Sequence, residues 1–422
     1  MPDGTDRPET TPSDHRIGSL DFTRGVAVMG IVFANVAAFG QPFSASFYPA
    51  AFLTPARAVD DWLWLTQLVL IDGKMRGLFT VLFGAGLVLF LERARQQGAA
   101  AGLQLRRLCW LFVFGVAHHV LLWRGDILVA YAVAGVIALP FARWSGRRLL
   151  AFGLTAFAAG ALISTAMYGF LAAAAAPQAA ADPQLAAMHA GLVVEEEAAR
   201  QHELAEGRVI AQGDYPQFVA GNLTGLPDSL GFNLALLLLE TVPLVIMGMA
   251  LYKAGFFTSG LDRSRMLAGS VAGVAVGAVV TLIEGLWEID RGLTYWSSLS
   301  AVAGWSAFPR LPMIFGLAGL LVLLNDHAKG WFGTGLRAAG RAAFTNYIGT
   351  SVVMLWIFHG FGLGMFGQLN RAELYIVALV TAVAMPLWSQ WWLARFRYGP
   401  LEWLWRCLTY GRVFALRQSM LA

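Results

Sequence analysis

Several side chains capable of chemistry stand inside stretches that are otherwise apolar. The run FGVAHHVLLWRGDILVAYAVAG holds His118 and His119, with Asp126 eight positions after the first. A neutral imidazole near pH 7 can act as a general base. Successive residues of a helix project about 100° apart, so only one of the two histidines is expected to face inward. Asp126 is also placed to cap the helix that follows. His359 closes the run SVVMLWIFH as an alternative base. Asn35, in VAVMGIVFANVAAFG, offers an amide to a developing oxyanion or a bound carbonyl, or simply joins two helices. In LIDGKMRGLFTVLFGAG, Lys74 and Arg76 lie between Gly73 and Gly77. That pattern fits a broken helix and a cationic site for an anionic group, or two anchors whose stems snorkel to an interface. Arg310 stands between Pro309 and Pro312. Carbonyls freed by proline beside a guanidinium suit a cavity or an anion pathway, and Glu240 or Glu284 is a candidate ion-pair partner. Asn346 enters its run beside Tyr347 as a further binding candidate. Asp21 and Arg24, three apart on one helical face, form a candidate structural pair. No zinc-type spacing of Cys, His and Glu accompanies these residues, so no metal is expected.

The elements that must position these groups are membrane helices. Of 422 residues 57% are hydrophobic and 13% charged, about half the charge of a soluble domain, and the mean hydropathy is +0.60. A hydrocarbon core about 30 Å thick needs roughly 20 apolar helical residues to cross it. Ten runs meet or approach that length: 20–41, 75–91, 105–123, 127–141, 149–176, 230–252, 266–286, 299–324, 342–361 and 374–395. The segment 62–71 is too short to cross and is expected at the interface or as a half-helix. The reading is an all-α polytopic membrane bundle of about ten helices with both ends in the cytoplasm. Residues 1–18 form a disordered cytoplasmic tail, 19–396 the bundle and 397–422 an amphipathic cytoplasmic tail. An outer loop over 177–229 is expected to hold a solvated helix carrying Glu195, Glu203 and Glu206. Lysine and arginine set the orientation: 21 of the 30 basic residues fall on the side of the N-terminus. This matches a multi-pass membrane protein of the inner-membrane type. The net charge of +4 gives no sign of nucleic-acid binding, and the two cysteines, Cys109 and Cys407, make no disulfide framework.

The segments SLDFTRGVAVMGIVFANVAAFG, KMRGLFTVLFGAG, GVAHHVLLWRGDILVAYAVAG, GRAAFTNYIGTS and YGPLEWLWRCLTYG resemble the YeiB-like bacterial membrane proteins, a family defined by domain of unknown function 418. That family is distantly similar to transmembrane acyltransferases of the heparan-α-glucosaminide N-acetyltransferase type. The resemblance implies acyl-CoA arriving from the cytoplasm and an acceptor, a glycan or small amphiphile, from the opposite side. It matches Asn35 to the asparagine that supports the acyl carbonyl. It matches His118, Trp123 and Asp126 to the YeiB-like pattern H–five–W–x–G–D. The histidine that the heparan enzyme carries after its first span has no counterpart between Gln41 and Pro55, so His118 is the preferred base.

Three functions fit these residues. An acyltransferase needs a polar tunnel from the inner face, lined by basic side chains that hold nucleotide phosphates. A transporter or exporter needs a substrate pathway, and no inverted repeat is visible. A scaffold needs the polar groups only to hold membrane lipid-embedded helices together.

Overall fold

The computed structural model describes residues 17–96, 100–258 and 261–418. Of the tail expected over residues 1–18, residues 1–16 lie outside the described residues, and Gly18 already begins the first helix. Each of the ten apolar runs is helical, and the described residues contain no named β-strand.

Helix α1 (Gly18–Gly40) is followed by α2 (Ala58–Leu70), α3 (Lys74–Gln96), α4 (Ala100–Leu121), α5 (Leu128–Ala138) and α6 (Gly146–Ala175). Then come α7 (Ala186–Gln212), α8 (Tyr215–Thr224), the single turn α9 (Leu226–Asp228) and α10 (Leu234–Lys253). The chain continues through α11 (Arg263–Asp290), α12 (Tyr295–Ser300), α13 (Ala307–Asn325), α14 (Gly330–Arg341) and α15 (Ala343–Phe358). It ends with α16 (Arg371–Leu393) and α17 (Pro400–Tyr410). Among the described residues seven helical stretches are long and apolar enough to cross a membrane, and Leu128–Arg143 and Ala343–Phe358 are shorter apolar helices. The end of the bundle where α1 starts is called the N-side here, and the end where α1 stops the far end.

Lipid is the solvent these faces fit. On α11, Val276 and Ile283 are 58% and 63% exposed, and on α16 Ile376 and Val380 are 61% and 64% exposed. In water such contiguous apolar surface would drive aggregation. Inside, helices approach through small residues. A Cβ on Gly84 of α3 would meet the Val245 carbonyl of α10 at 2.0 Å, and one on Gly248 of α10 would meet the Val81 carbonyl of α3 at the same distance. The two backbones thus touch reciprocally, the close packing that small residues allow where the hydrophobic effect is absent.

The helix ahead of the second long span is broken, as its glycines suggest. The chain turns at Gly73 with φ +71°, and a Cβ there would collide with the Arg310 guanidinium. Glycine serves twice here, for the left-handed turn and for the space. Ahead of α13 the backbone forms a π-turn over Ala301–Trp305, and Pro312 stands inside the helix. The outer loop differs from a freely solvated helix. Glu203 of α7 accepts from the Ser44 N–H at 3.1 Å, and Glu206 pairs with Arg124 at 2.8 Å. Tyr215 and Asn222 of α8 donate to the Leu121 and Val120 carbonyls at the end of α4. The α7–α8 segment is therefore fastened across the far end as a cover.

Candidate functional site

Cavities enter the bundle from both ends. On the N-side a cavity of about 210 Å³ is lined by Arg24, Arg107, Arg341, Tyr131, Tyr347 and Trp405. The Arg107 guanidinium is held over the rings of Phe90, at 4.8 Å, and Trp405, at 4.4 Å. Trp405 in turn donates its indole N–H to the Arg107 carbonyl at 2.9 Å. Helix α17 is therefore more than a surface anchor. Its Glu402 also accepts from the Phe344 and Thr345 N–H groups at 2.8 and 3.1 Å, supplying the cap that Ala342 cannot give to α15.

At the far end a cavity of about 1100 Å³ is lined by Asn35, Arg76, His119, Arg124, Asp126 and Glu206 among others. It adjoins a second of about 400 Å³, which shares Asn35 and Arg76 and adds Asp72, Glu240 and Arg310. The partition between the N-side and far-end spaces is thin. Ile127 lines both far-end cavities and Leu128, the next residue, lines the N-side cavity. Consecutive Cα atoms are about 3.8 Å apart. The layer is closed by hydroxyls. Tyr131 Oη lies 3.0 Å from Thr80 Oγ1 and donates to the Arg76 carbonyl at 3.3 Å, and Tyr347 Oη accepts from the Ile127 N–H at 3.3 Å.

His118 stands in this layer. Its Nδ1 lies 2.9 Å from Asp126 Oδ1 and its Nε2 lies 2.8 Å from Ser351 Oγ. The second Asp126 oxygen accepts from the Val129 N–H at 2.8 Å, so the carboxylate both caps α5 and orients the imidazole. A carboxylate only accepts, which assigns the proton to Nδ1 and leaves Nε2 to accept from the serine hydroxyl. The His118 and Asp126 side chains are 1% and 2% exposed, and the His118 ring lies 5.1 Å from that of Tyr347.

The expectation that one histidine of the pair faces away is corrected: His119 is 5% exposed against 2% for His118. The pair sits in the last turn of α4, which α8 covers, so the direction away from the bundle meets protein rather than lipid. His119 lines the far-end cavity. His359 is buried at the end of α15, its ring 4.7 Å from that of Phe218 and its Nδ1 without a partner. It borders a small far-end space of about 30 Å³ rather than the His118 layer.

The cationic candidates divide. Lys74 does not snorkel: it is wholly buried, and its Nζ donates to the Leu68 carbonyl at 2.5 Å. Arg76 and Arg310 both donate to one oxygen of Glu240, at 2.7 and 2.9 Å. Arg310 also donates to the Val302 carbonyl, in the irregular turn ahead of α13, and to the Ser306 hydroxyl, both at 2.7 Å. Asn346 is spent on the Ala339 carbonyl and Ser389 Oγ, at 3.1 and 3.0 Å, away from all these cavities. The Asn35 side chain makes no hydrogen bond among the described residues and borders far-end space. Asp21 and Arg24 pair at 3.3 Å, and Arg24 also borders the N-side cavity. Among the described residues no three His, Cys, Asp or Glu groups could hold a metal ion.

Two residues escaped the sequence reading. Ser351 lies four positions after Tyr347, on the same helical face, and that spacing was its only signal. Arg107 read as one of many basic anchors on the N-side.

Buried polar groups inside an apolar helical bundle, with cavities at both ends, define the class as a polytopic helical membrane protein. The profile of the family described as "Protein of unknown function (DUF418)" matches residues 251–412. "Uncharacterized protein YxaH" of Bacillus subtilis is 27% identical over 95% of this chain and 96% of its own length. "Uncharacterized protein YeiB" of Escherichia coli is 28% identical over 93% of this chain and 95% of its own. A protein of Bacillus acidopullulyticus named from the 3′ region of an amylase gene is 26% identical over 96% of both. The chain is thus similar over nearly its whole length to YeiB-like proteins, and its C-terminal part matches the DUF418 model. No solved structure matches it.

Proposed function

We propose that the protein is a membrane-embedded acyltransferase of the bacterial inner membrane. It takes an acyl group from cytoplasmic acyl-CoA at the N-side cavity and delivers it to an acceptor, a glycan or small amphiphile, in the far-end cavity. The observation that carries this reading is the partition: Ile127 and Leu128 are consecutive yet border opposite cavities, and the Asp126–His118 pair is built into the layer between them.

The N-side cavity suits the donor. Arg24, Arg107 and Arg341 put three guanidiniums around its lining, where the phosphates of a coenzyme A would sit, and guanidinium is the side chain that best matches phosphate geometry. Trp405 and Tyr347 give the pantetheine arm an apolar wall. The bias of Lys and Arg toward this end supports the cytoplasmic side. On the other side Asn35, His119 and Arg76 border a space large enough for a sugar or a lipid headgroup. His118, oriented by Asp126, is the base that removes a proton from the attacking group. An alternating-access carrier works by opening one end and then the other. Here both ends hold a cavity in one conformation, which favours transfer across the wall between them.

Binding of acetyl-CoA and palmitoyl-CoA to the detergent-purified protein tests the donor half. Micromolar binding that weakens at least tenfold in Arg107→Glu supports the proposal. Equal affinity in wild type and variant, or no binding of either thioester, removes it.

A further inference from the structure

We infer that Ser351 is a covalent carrier of the acyl group, loaded from the N-side cavity and unloaded into the far-end cavity. This rests on the acyltransferase reading above and adds its chemical intermediate.

The argument begins with the geometry of three side chains. Ser351 Oγ lies 2.8 Å from His118 Nε2, and His118 Nδ1 lies 2.9 Å from Asp126 Oδ1. A hydroxyl, an imidazole and a carboxylate in that order activate a nucleophile, and the arrangement is recognised by geometry rather than by position in the chain. For holding helices together it is over-built. Ser351 could satisfy its hydroxyl on a carbonyl one turn back, as Thr350 does on Asn346 at 2.8 Å. The histidine and aspartate would then be needless buried polar groups.

The location adds a second argument. The N-side cavity ends at Tyr347, one helical turn, about 6 Å, before Ser351 on the same face of α15. The far-end cavity begins at Asp126 and Ile127. A direct transfer would need the thioester and the acceptor to meet in one space, which the partition denies them. A carrier within the partition needs each to reach it in turn. The barrier on the donor side is the Tyr347 ring, whose hydroxyl holds a single hydrogen bond among the described residues, at 3.3 Å, and the thioester displaces it to reach Ser351.

The chemistry balances in two steps. In loading, Ser351 Oγ attacks the thioester carbonyl, a C–O bond forms and the C–S bond breaks. His118 Nε2 takes the hydroxyl proton and passes it to the departing thiolate, which leaves as free coenzyme A thiol. In unloading, an acceptor hydroxyl or amine attacks the ester carbonyl and gives its proton to Nε2. Ser351 Oγ leaves and recovers that proton. No oxidant or metal enters either step.

The test uses full-length protein and acetyl-CoA labelled in the acetyl group, without acceptor. Intact mass and peptide mapping should find one acetyl group, 42 Da, on Ser351, with one thiol released per chain. Ser351→Cys should load as a thioester that neutral hydroxylamine removes, which separates nucleophile loss from misfolding. His118→Ala should lower loading at least a hundredfold while acetyl-CoA still binds. In a companion assay with inside-out vesicles that supply acceptors, label transferred by both wild type and Ser351→Ala, with no acylated Ser351, would overturn the inference and leave the acyltransferase standing. Absence of both transfer and thiol release would remove the two together.

Discussion

At the scale of single residues, the account turns on which polar groups touch space and which only touch one another. His118 is expected to be needed for transfer, and His118→Ala should lower the rate by about 10²–10⁴-fold, the usual worth of a general base. His359, which has no polar partner and borders a separate small space, should tolerate Ala with less than about a threefold change in the same assay. Glu240 is a structural keystone: it alone receives both Arg76 and Arg310. Glu240→Ala leaves two guanidiniums facing each other, and breaking such a pair costs about 3–5 kcal/mol. Thermal unfolding of the purified protein would register that loss, and an unchanged midpoint would refute the role. The sequence exposed this cluster because charge in an apolar run needs a reason. It did not expose Ser351, because a hydroxyl in a helix usually bonds the carbonyl four residues back and carries no signal of its own. Nor did it separate Lys74 from Arg76, since burial of the one and pairing of the other are set by where the chain turns at Gly73.

At the scale of elements, helix ends and helix contacts decide what the cavities look like. Glu402 caps α15 from a different helix, so Glu402→Ala should cost about 0.5–2 kcal/mol and loosen the wall that carries Tyr347. Burial lifts its carboxyl above the usual range, with the hydrogen bonds it accepts pulling the other way. The folded protein then takes up this proton more readily than the unfolded chain. Its contribution to stability therefore falls as pH rises from the ordinary carboxylate range through the raised value. Glu402→Gln, having no proton to lose, should flatten that part of the stability curve. Gly84→Ala presses a methyl group on the Val245 carbonyl and should cost about 1–3 kcal/mol, read as a lower unfolding midpoint. The apolar runs were legible one by one because lipid demands unbroken hydrophobic length. The role of α17 was not, because its amphipathic pattern suits a membrane surface and a protein groove equally well. Likewise the acidic face of α7 read as solvated, whereas Glu203 and Glu206 face Ser44 and Arg124, contacts that depend on tertiary position.

At the scale of the whole molecule, the bundle resembles two vestibules sharing one wall. Its apolar girdle fits lipid, and the excess of basic residues that the sequence reading places at one end is the basis for the proposed direction. In a chain with Cys109 and Cys407 replaced, Arg200→Cys and Arg265→Cys should react with a membrane-impermeant maleimide from opposite sides. Labelling of both from one side would reverse that direction. The direct test of the account is transfer itself, in sealed inside-out vesicles from bacteria expressing the protein and given acetyl-CoA or palmitoyl-CoA labelled in the acyl group. The account predicts that label becomes fixed in vesicle material, that coenzyme A thiol appears outside in equal amount, and that both disappear with His118→Ala. Equal fixation by wild type and His118→Ala vesicles, or uptake of the intact thioester without thiol release, would contradict it.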